Sequence, residues 1–422
     1  MDKSLLNKLS PVWMHYTPIV ADRGEGCYLF DVDGTKYLDF TCGIGVTNTG
    51  HCHPQVVKAI QEQAAKLLHG QVNIAVSKSL VELVGEVQSI VPSSIDGFFF
   101  SNSGAEAIEG ALKLARSATG RPNVIVFQGS FHGRTVGTMS LTTSKTVYRA
   151  GYQPLMPGVF VAPFPYSYRY GWDDETTSQW CLEELEYLLV TQTAPSETAA
   201  LLLETVIGEG GYVVPPASFM RGLREICDKH GILLILDEIQ SGFGRTGKWF
   251  AFEHFDLVPD IMVVAKGLAS GLPLSGVFSR MELMEKWTPG SHGGTYGGNA
   301  VAAAGAIATI RAMRQERMIE NAQQRGVQLM SGLRHLQEEF PVIGDLRGLG
   351  LMIGAEIRTP SRKPDKTTAK AIVHACYDRQ LLLLTCGPWD NTIRWIPPLI
   401  VSEQQISHAL DVFHQSLREV VS

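Results

Sequence analysis

The sequence predicts an α/β protein: a mostly parallel sheet covered on both faces by helices, with a smaller α+β lobe attached. Three observations carry that expectation. Two apolar runs, Ile232–Leu236 and Ile261–Ala265, have the length of fully buried strands and are too short for typical helices. Around them strand-like runs alternate with helical patterns, as in crossover units of a parallel sheet. From about residue 312 charged amphipathic helices take over, and strand-like segments return only after them. The expected division is an N-terminal arm and hairpin over 1–50, a large lobe over 51–311 and a C-terminal lobe over 312–422, with the hairpin joining the small lobe. A chain of 422 residues exceeds one typical domain, which fits two lobes.

Composition narrows the function classes. Hydrophobic residues make up 45% and charged ones 18%, ordinary for a globular protein with a large core. A net charge of −6 argues against nucleic acid or an anionic membrane as the main partner. The cysteines Cys27, Cys42, Cys52, Cys181, Cys227, Cys376 and Cys386 are odd in number and scattered, without a C-x-x-C. A disulfide framework or zinc ribbon is therefore not expected, and a reducing cytoplasm is. The N-terminal MDKSLLNKLSPVWMHY lacks the apolar core of a signal peptide, and no apolar run approaches a membrane span.

Taken in order, residues 1 to about 20 read as a helix or arm ending near Pro18, and CYLFDVDGTKYLDF as a hairpin turning at Asp33-Gly34. The polar loop TCGIGVTNTGHCHP leads to a helix over Pro54–Leu68, with Pro54 at its first position. His51 and His53 could form a metal pair, but no carboxylate or third histidine stands at ligand spacing, and a turn is the better reading. GFFFSNSGAEAIEGALKLAR gives a strand, a turn and a helix whose Ile108, Ala111, Leu112 and Ala115 share one face. Ser103 and Gly104 at its start read equally as an N-cap and as an anion site. NVIVFQGSFHGRT is a strand running into a loop with Phe131, His132 and Arg134. The aromatic loop PFPYSYRYGWDD precedes a helix near Ser178–Thr191, and a strand ending at Glu204 leads into a glycine loop with Glu209. A helix over Ser218–His230 follows. Beyond Gly276, glycines surround Thr295 ahead of an alanine-rich helix; strand-like LGLMIGAEI, a helix near 366–379, LLLLT and TIRWIPPL complete the chain.

Chemistry concentrates between Gly231 and Gly276. Each apolar run ends in charge, Asp237 and Glu238 after the first and Lys266 after the second, 29 positions beyond Asp237. In α/β sheets the carboxyl ends of strands line the ligand crevice. A lone lysine at a strand end is most simply a surface residue. Beside an acid and the loop GLASGLPLSG, it reads instead as a desolvated amine forming a Schiff base with a carbonyl cofactor whose ring nitrogen needs an acidic partner. The segment Gly242-Phe-Gly244-Arg-Thr-Gly247 matches the dinucleotide fingerprint, but DEIQS separates it from its strand and aromatic residues follow it, so a rigid loop is expected.

DEIQSGFGRTG followed by AKGLASGLPLSG resembles the core of the class III (ω-amino acid) aminotransferases, pyridoxal-phosphate enzymes of fold type I, and the likeness extends over nearly the whole chain. Within that family it is nearest to the 4-aminobutyrate branch. The resemblance implies a large domain with a mostly parallel seven-stranded sheet between helices, and pyridoxal 5'-phosphate as cofactor. Lys266 would hold the cofactor, Asp237 its ring nitrogen and Gln240 its phenolic oxygen. Phe131 would stack on the ring, with His132 and Glu204 nearby. Ser103, Gly104 and Ala105 would take the phosphate, joined by Thr295 across a homodimer or dimer-of-dimers interface. Ile44 would face the substrate, Arg134 would clamp its distal carboxylate, and Arg394 would take the α-carboxylate of a dicarboxylate. Glu209 would neutralise Arg394 while an ω-amino donor is bound. Thr205 stands where the family usually has proline, which puts the local loop shape in question. The implied reaction is ping-pong transfer from an ω-amino acid, 4-aminobutyrate first, to 2-oxoglutarate, giving semialdehyde and glutamate; acetylornithine or ornithine aminotransferase and amino acid racemase or aminomutase are the alternatives. No metal is implied.

Overall fold

The computed structural model describes residues 3–421; the first two residues of the expected arm and the last of the chain lie outside the described residues. Its centre is a seven-stranded sheet in the order Gly97–Ser101, Ser275–Ser279, Ile261–Val264, Leu233–Asp237, Thr198–Glu204, Asn123–Phe127, Val159–Ala162. Ser275–Ser279 runs antiparallel to both its neighbours, and every other pairing is parallel. Successive side chains in a strand point to opposite faces, and here both faces are buried. Ile125, Phe127, Leu201, Leu203, Leu234 and Leu236 pack into one apolar cluster, while Val124, Val126, Ala200, Leu202, Leu233 and Ile235 pack into another. That is why these strands read as unbroken apolar runs rather than alternating ones.

The helix Gly104–Thr119 covers one face with Ala107, Ile108, Ala111, Leu112 and Ala115, and it stops at Gly120, whose φ of 69° suits glycine. The helix entered at Pro54 ends at Ala64, not Leu68. Leu67 and Leu68 are 42% and 65% exposed, so no packing supports a further turn. The helix expected near Ser178 begins at Asp174, because Asp173 accepts the Thr176 N–H and caps it one turn earlier.

Two four-stranded sheets stand apart from the central one. The hairpin strands Tyr28–Asp31 and Lys36–Asp39 lie between Ala21–Glu25 and Leu381–Leu382, with Leu38 opposite Leu381 in parallel register. The other sheet is antiparallel, in the order Ile343–Leu349, Met352–Ile357, Thr392–Trp395, Leu384–Cys386. LGLMIGAEI is therefore two strands, joined where Gly350 takes a positive φ of 54°.

The GFGRTG segment is a run of turns, and its arginine is a clasp. Arg245 is fully buried and donates to the Leu351 carbonyl at 3.1 Å and to Asn48 Oδ1 at 2.7 Å. It thus ties the loop before Pro54 to the turn at Gly350. His51 and His53 pair separately, with Asp39 at 2.8 Å and Glu316 at 3.0 Å. Among the described residues no helix is long and apolar enough to cross a membrane.

Candidate active site

A cavity of about 500 Å³ opens at the carboxyl ends of the central strands. Sheet register builds its floor: Glu204 and Asp237 are partners on adjacent strands, so two carboxylates arrive side by side. Asp237 is 3% exposed. Its Oδ2 meets His132 Nδ1 at 2.7 Å, and its Oδ1 accepts the Ile239 N–H at 3.0 Å. Both oxygens are held, so the carboxylate has one orientation. Glu204 accepts the N–H groups of Phe131 at 2.7 Å and Gly208 at 2.8 Å, clamping two loops, and burial pushes its pKa up to about 7.

Lys266 comes one residue after the strand Ile261–Val264, beyond Ala265, and lines the same cavity. Its φ of 40° lies in the left-handed region, which a side-chain-bearing residue occupies only at a cost of about 1–3 kcal/mol when its surroundings hold it there. Burial lowers the pKa of its amine; Asp237 and Glu204 oppose that fall without cancelling it, and Arg394 adds to it. A neutral, nucleophilic amine is thereby made accessible. Gln240 donates from Nε2 to the Ile44 carbonyl at 3.4 Å, and its buried Oε1 has no partner among the described residues.

The start of the helix Gly104–Thr119 forms another wall. Ser103 serves the helix itself: its Oγ accepts the Glu106 N–H at 3.2 Å, and the Glu106 carboxylate accepts the Ser103 N–H at 2.7 Å. The N–H groups of Gly104 and Ala105 have no acceptor among the described residues, and both residues line the cavity at the positive end of the helix dipole.

Two arginines face this space. Arg134 is exposed, with its guanidinium 4.7 Å from the Tyr148 ring centre and 5.7 Å from that of Phe131. It has no carboxylate partner among the described residues, unlike a structural salt bridge. Arg394, on the strand Thr392–Trp395, is 3% exposed, and its Nη1 lies 3.2 Å from Glu209 Oε2. The other Glu209 oxygen takes Lys145 Nζ at 2.8 Å and the Tyr148 hydroxyl at 3.0 Å. Burial alone would raise the Glu209 pKa, but Arg394 and Lys145 outweigh it and hold the carboxyl below its usual range. Ile44 lines the cavity at a φ of 64°, unusual for a β-branched residue, in a turn where Asp39 accepts the N–H groups of Thr41 at 2.8 Å and Cys42 at 3.2 Å.

The structure thus brings Ile44, Ser103, Gly104, Ala105, Phe131, His132, Arg134, Glu204, Glu209, Asp237, Gln240, Lys266 and Arg394 around one cavity. Thr295 is exposed and lies outside the cavity wall of its own chain. Thr205 donates to Glu238 Oε1 at 2.8 Å, a bond that proline could not make and one that anchors the loop after Glu204. Lys145 and Tyr148 went unnoticed in sequence; their only signal is a lysine and a tyrosine three apart in the otherwise uncharged TTSKTVY.

An oriented acid and a desolvated lysine at the mouths of neighbouring strands are the two groups a pyridoxal-phosphate enzyme needs, one for the ring nitrogen and one for the aldehyde. The chain belongs to the class-III aminotransferases, whose sequence model matches residues 9–417. It is 41% identical over 404 residues to the probable 4-aminobutyrate aminotransferase of Bacillus subtilis, covering 94% of this chain and 93% of the relative. It is 36% identical over 413 residues to an alanine/serine racemase of Pyrococcus horikoshii, covering 96% and 87%. Among solved structures it resembles an amine transaminase from an uncultivated Pseudomonas species in its PLP-bound form, with a TM-score of 0.91, 28% identity and 98% of each chain covered. The family's cofactor suits the residues present: an amine, a fixed carboxylate, an unpartnered amide oxygen on Gln240 and two unused N–H groups face one space.

Proposed function

We propose that this transaminase takes the amino group of a straight-chain ω-amino acid, 4-aminobutyrate first, and passes it to 2-oxoglutarate in a ping-pong reaction that releases semialdehyde and then glutamate. The enzyme works as a homodimer in the cytoplasm, with Thr295 contributed across the interface to the phosphate site. The observation that carries the substrate reading is the unequal state of the two arginines. Arg134 stands open, whereas Arg394 is masked by Glu209 at 3.2 Å. A donor with one carboxylate needs only the open arginine. A dicarboxylate needs both, and the buried Arg394 Nε without a partner leaves a donor ready for it.

Pyridoxal phosphate, when bound, supplies the electron sink that accepts the pair left on the substrate carbon when its proton departs. Lys266 would hold the cofactor through its amine, and that amine, once freed, would take and return the proton of the substrate carbon. Asp237, fixed by His132 at 2.7 Å, would serve as the acidic partner that keeps the ring nitrogen protonated. Gly104 and Ala105 would offer their N–H groups to the phosphate beside Ser103, Gln240 would meet the phenolic oxygen, and Phe131 would pack on the ring. Glu204 holds the Phe131 and Gly208 loops in place. Ile44 limits the bulk of the substrate chain. Arg134 binds the distal carboxylate of either substrate.

The deciding experiment presents the holoenzyme with single amino acids and follows loss of the visible absorbance of the lysine-bound cofactor. The expected result is fastest conversion by 4-aminobutyrate or a near homologue, and recovery of the absorbance with 2-oxoglutarate. Preference for acetylornithine or ornithine would overturn the substrate assignment. Inversion of a single amino acid without any keto acid would replace transamination with racemisation.

A further inference from the structure

We propose that Lys145 is a positioning residue for substrate specificity: a second cation that keeps Glu209 when a dicarboxylate takes Arg394. This rests on the reading of the Glu209–Arg394 pair given above. Glu209 divides its two oxygens between different cations, Oε2 facing Arg394 Nη1 at 3.2 Å and Oε1 facing Lys145 Nζ at 2.8 Å. Lys145 is held in turn by Asp390 Oδ1 at 2.5 Å, whose other oxygen takes Lys366 at 2.8 Å. Charges therefore alternate outward from the cavity through Arg394, Glu209, Lys145, Asp390 and Lys366.

The consequence lies in what Glu209 meets when an incoming α-carboxylate displaces it. The Arg394 and Lys145 side chains are 3% and 13% exposed, so the exchange takes place largely out of water. A carboxylate expelled there without a partner would sit beside a second anion, an arrangement that is costly to bury. With Lys145 and Tyr148 already on Oε1, Glu209 instead turns about contacts it never breaks. Burial works against charge on Lys145, yet Glu209 and Asp390 outweigh it and hold its pKa above the ordinary value, so the cation persists. Lys145 itself is absent from the cavity wall, whereas Tyr148, Glu209 and Arg394 belong to it, so Lys145 acts through Glu209.

The test is Lys145→Met in the holoenzyme, with calorimetric binding of glutarate and pentanoate as unreactive dicarboxylate and monocarboxylate probes. Asp390 keeps Lys366, so the substitution leaves no orphaned acid. Glutarate affinity should fall at least about tenfold more than pentanoate affinity, the scale of one lost hydrogen bond to a charged group. The glutamate half-reaction should weaken by a similar factor relative to the ω-amino half-reaction. In Lys145→Met combined with Glu209→Gln, the neutral amide needs no second cation, and glutarate binding should return to that of Glu209→Gln alone. Equal losses for both probes, or no recovery in the double variant, would overturn the role of Lys145. Arg394→Ala separates the two ideas. If Arg394→Ala weakens glutarate far more than pentanoate and Lys145→Met does not, only the present inference fails; if Arg394→Ala weakens both probes equally, the underlying reading fails as well.

Discussion

Arg394→Ala probes the substrate reading most directly, because the structure allows its effect to be sized. Arg394 lies in the strand Thr392–Trp395, paired with Gly354 on one side and Leu384 on the other, so its backbone is held independently of the side chain. Removing the guanidinium does not strand Glu209, which retains Lys145 at 2.8 Å and Tyr148 at 3.0 Å. What disappears is one charged contact to the α-carboxylate of glutamate or 2-oxoglutarate, worth about 1.5–3 kcal/mol. At about 1.4 kcal/mol per decade, the second half-reaction should lose roughly 10- to 150-fold in kcat/KM. The ω-amino half-reaction, which leaves Arg394 paired with Glu209, should change far less. Stopped-flow measurement of the two half-reactions separately, following cofactor absorbance with each substrate alone, gives both numbers. Equal losses in the two directions would refute the assignment of Arg394 to the α-carboxylate.

Other expectations follow from the same geometry. Lys266→Ala should remove the visible absorbance of the lysine-bound cofactor and abolish turnover, and an active variant would end the catalytic assignment. His132→Ala deprives Asp237 of its 2.7 Å partner, so cofactor affinity and kcat should each fall about tenfold or more, as measured by dialysis titration and steady-state kinetics; unchanged values would reduce His132 to a packing residue. Burial raises the Glu204 carboxyl from 4.5 to about 7, so the folded protein binds its proton more tightly than the unfolded chain. The associated stability is present below pH 4.5 and is lost as pH rises through about 7. Urea unfolding across that window should show the decline, and Glu204→Gln, with no proton to lose, should reduce it, leaving the share of Glu238, whose carboxyl burial also raises to about 7; an unchanged slope would count against the raised Glu204 pKa.

Local pattern made part of this molecule legible. Apolar runs of strand length around Leu234 and Val263 mark strands buried on both faces, and charge directly after them marks where the crevice lies. The spacing of Ile108, Ala111, Leu112 and Ala115 fixed one helical face, since it reports only which side of a short segment meets the core. Element ends were less legible: the Pro54 helix stops at Ala64 because Leu67 and Leu68 find nothing to pack against, a fact of tertiary neighbours rather than of propensity.

The sequence by itself determined that an acid and a lysine would follow two buried strands and that a helix would start at the Ser103–Gly104 turn. Both follow from periodicities shorter than a dozen residues. Only the tertiary structure decided that His132 would orient Asp237 across 105 positions, that Arg245 would clasp Asn48 across 197, and that Glu209 would divide itself between Lys145 and Arg394, 64 and 185 positions away. Buried charges must find partners wherever loop paths bring them, and no local pattern encodes where two distant loops will meet.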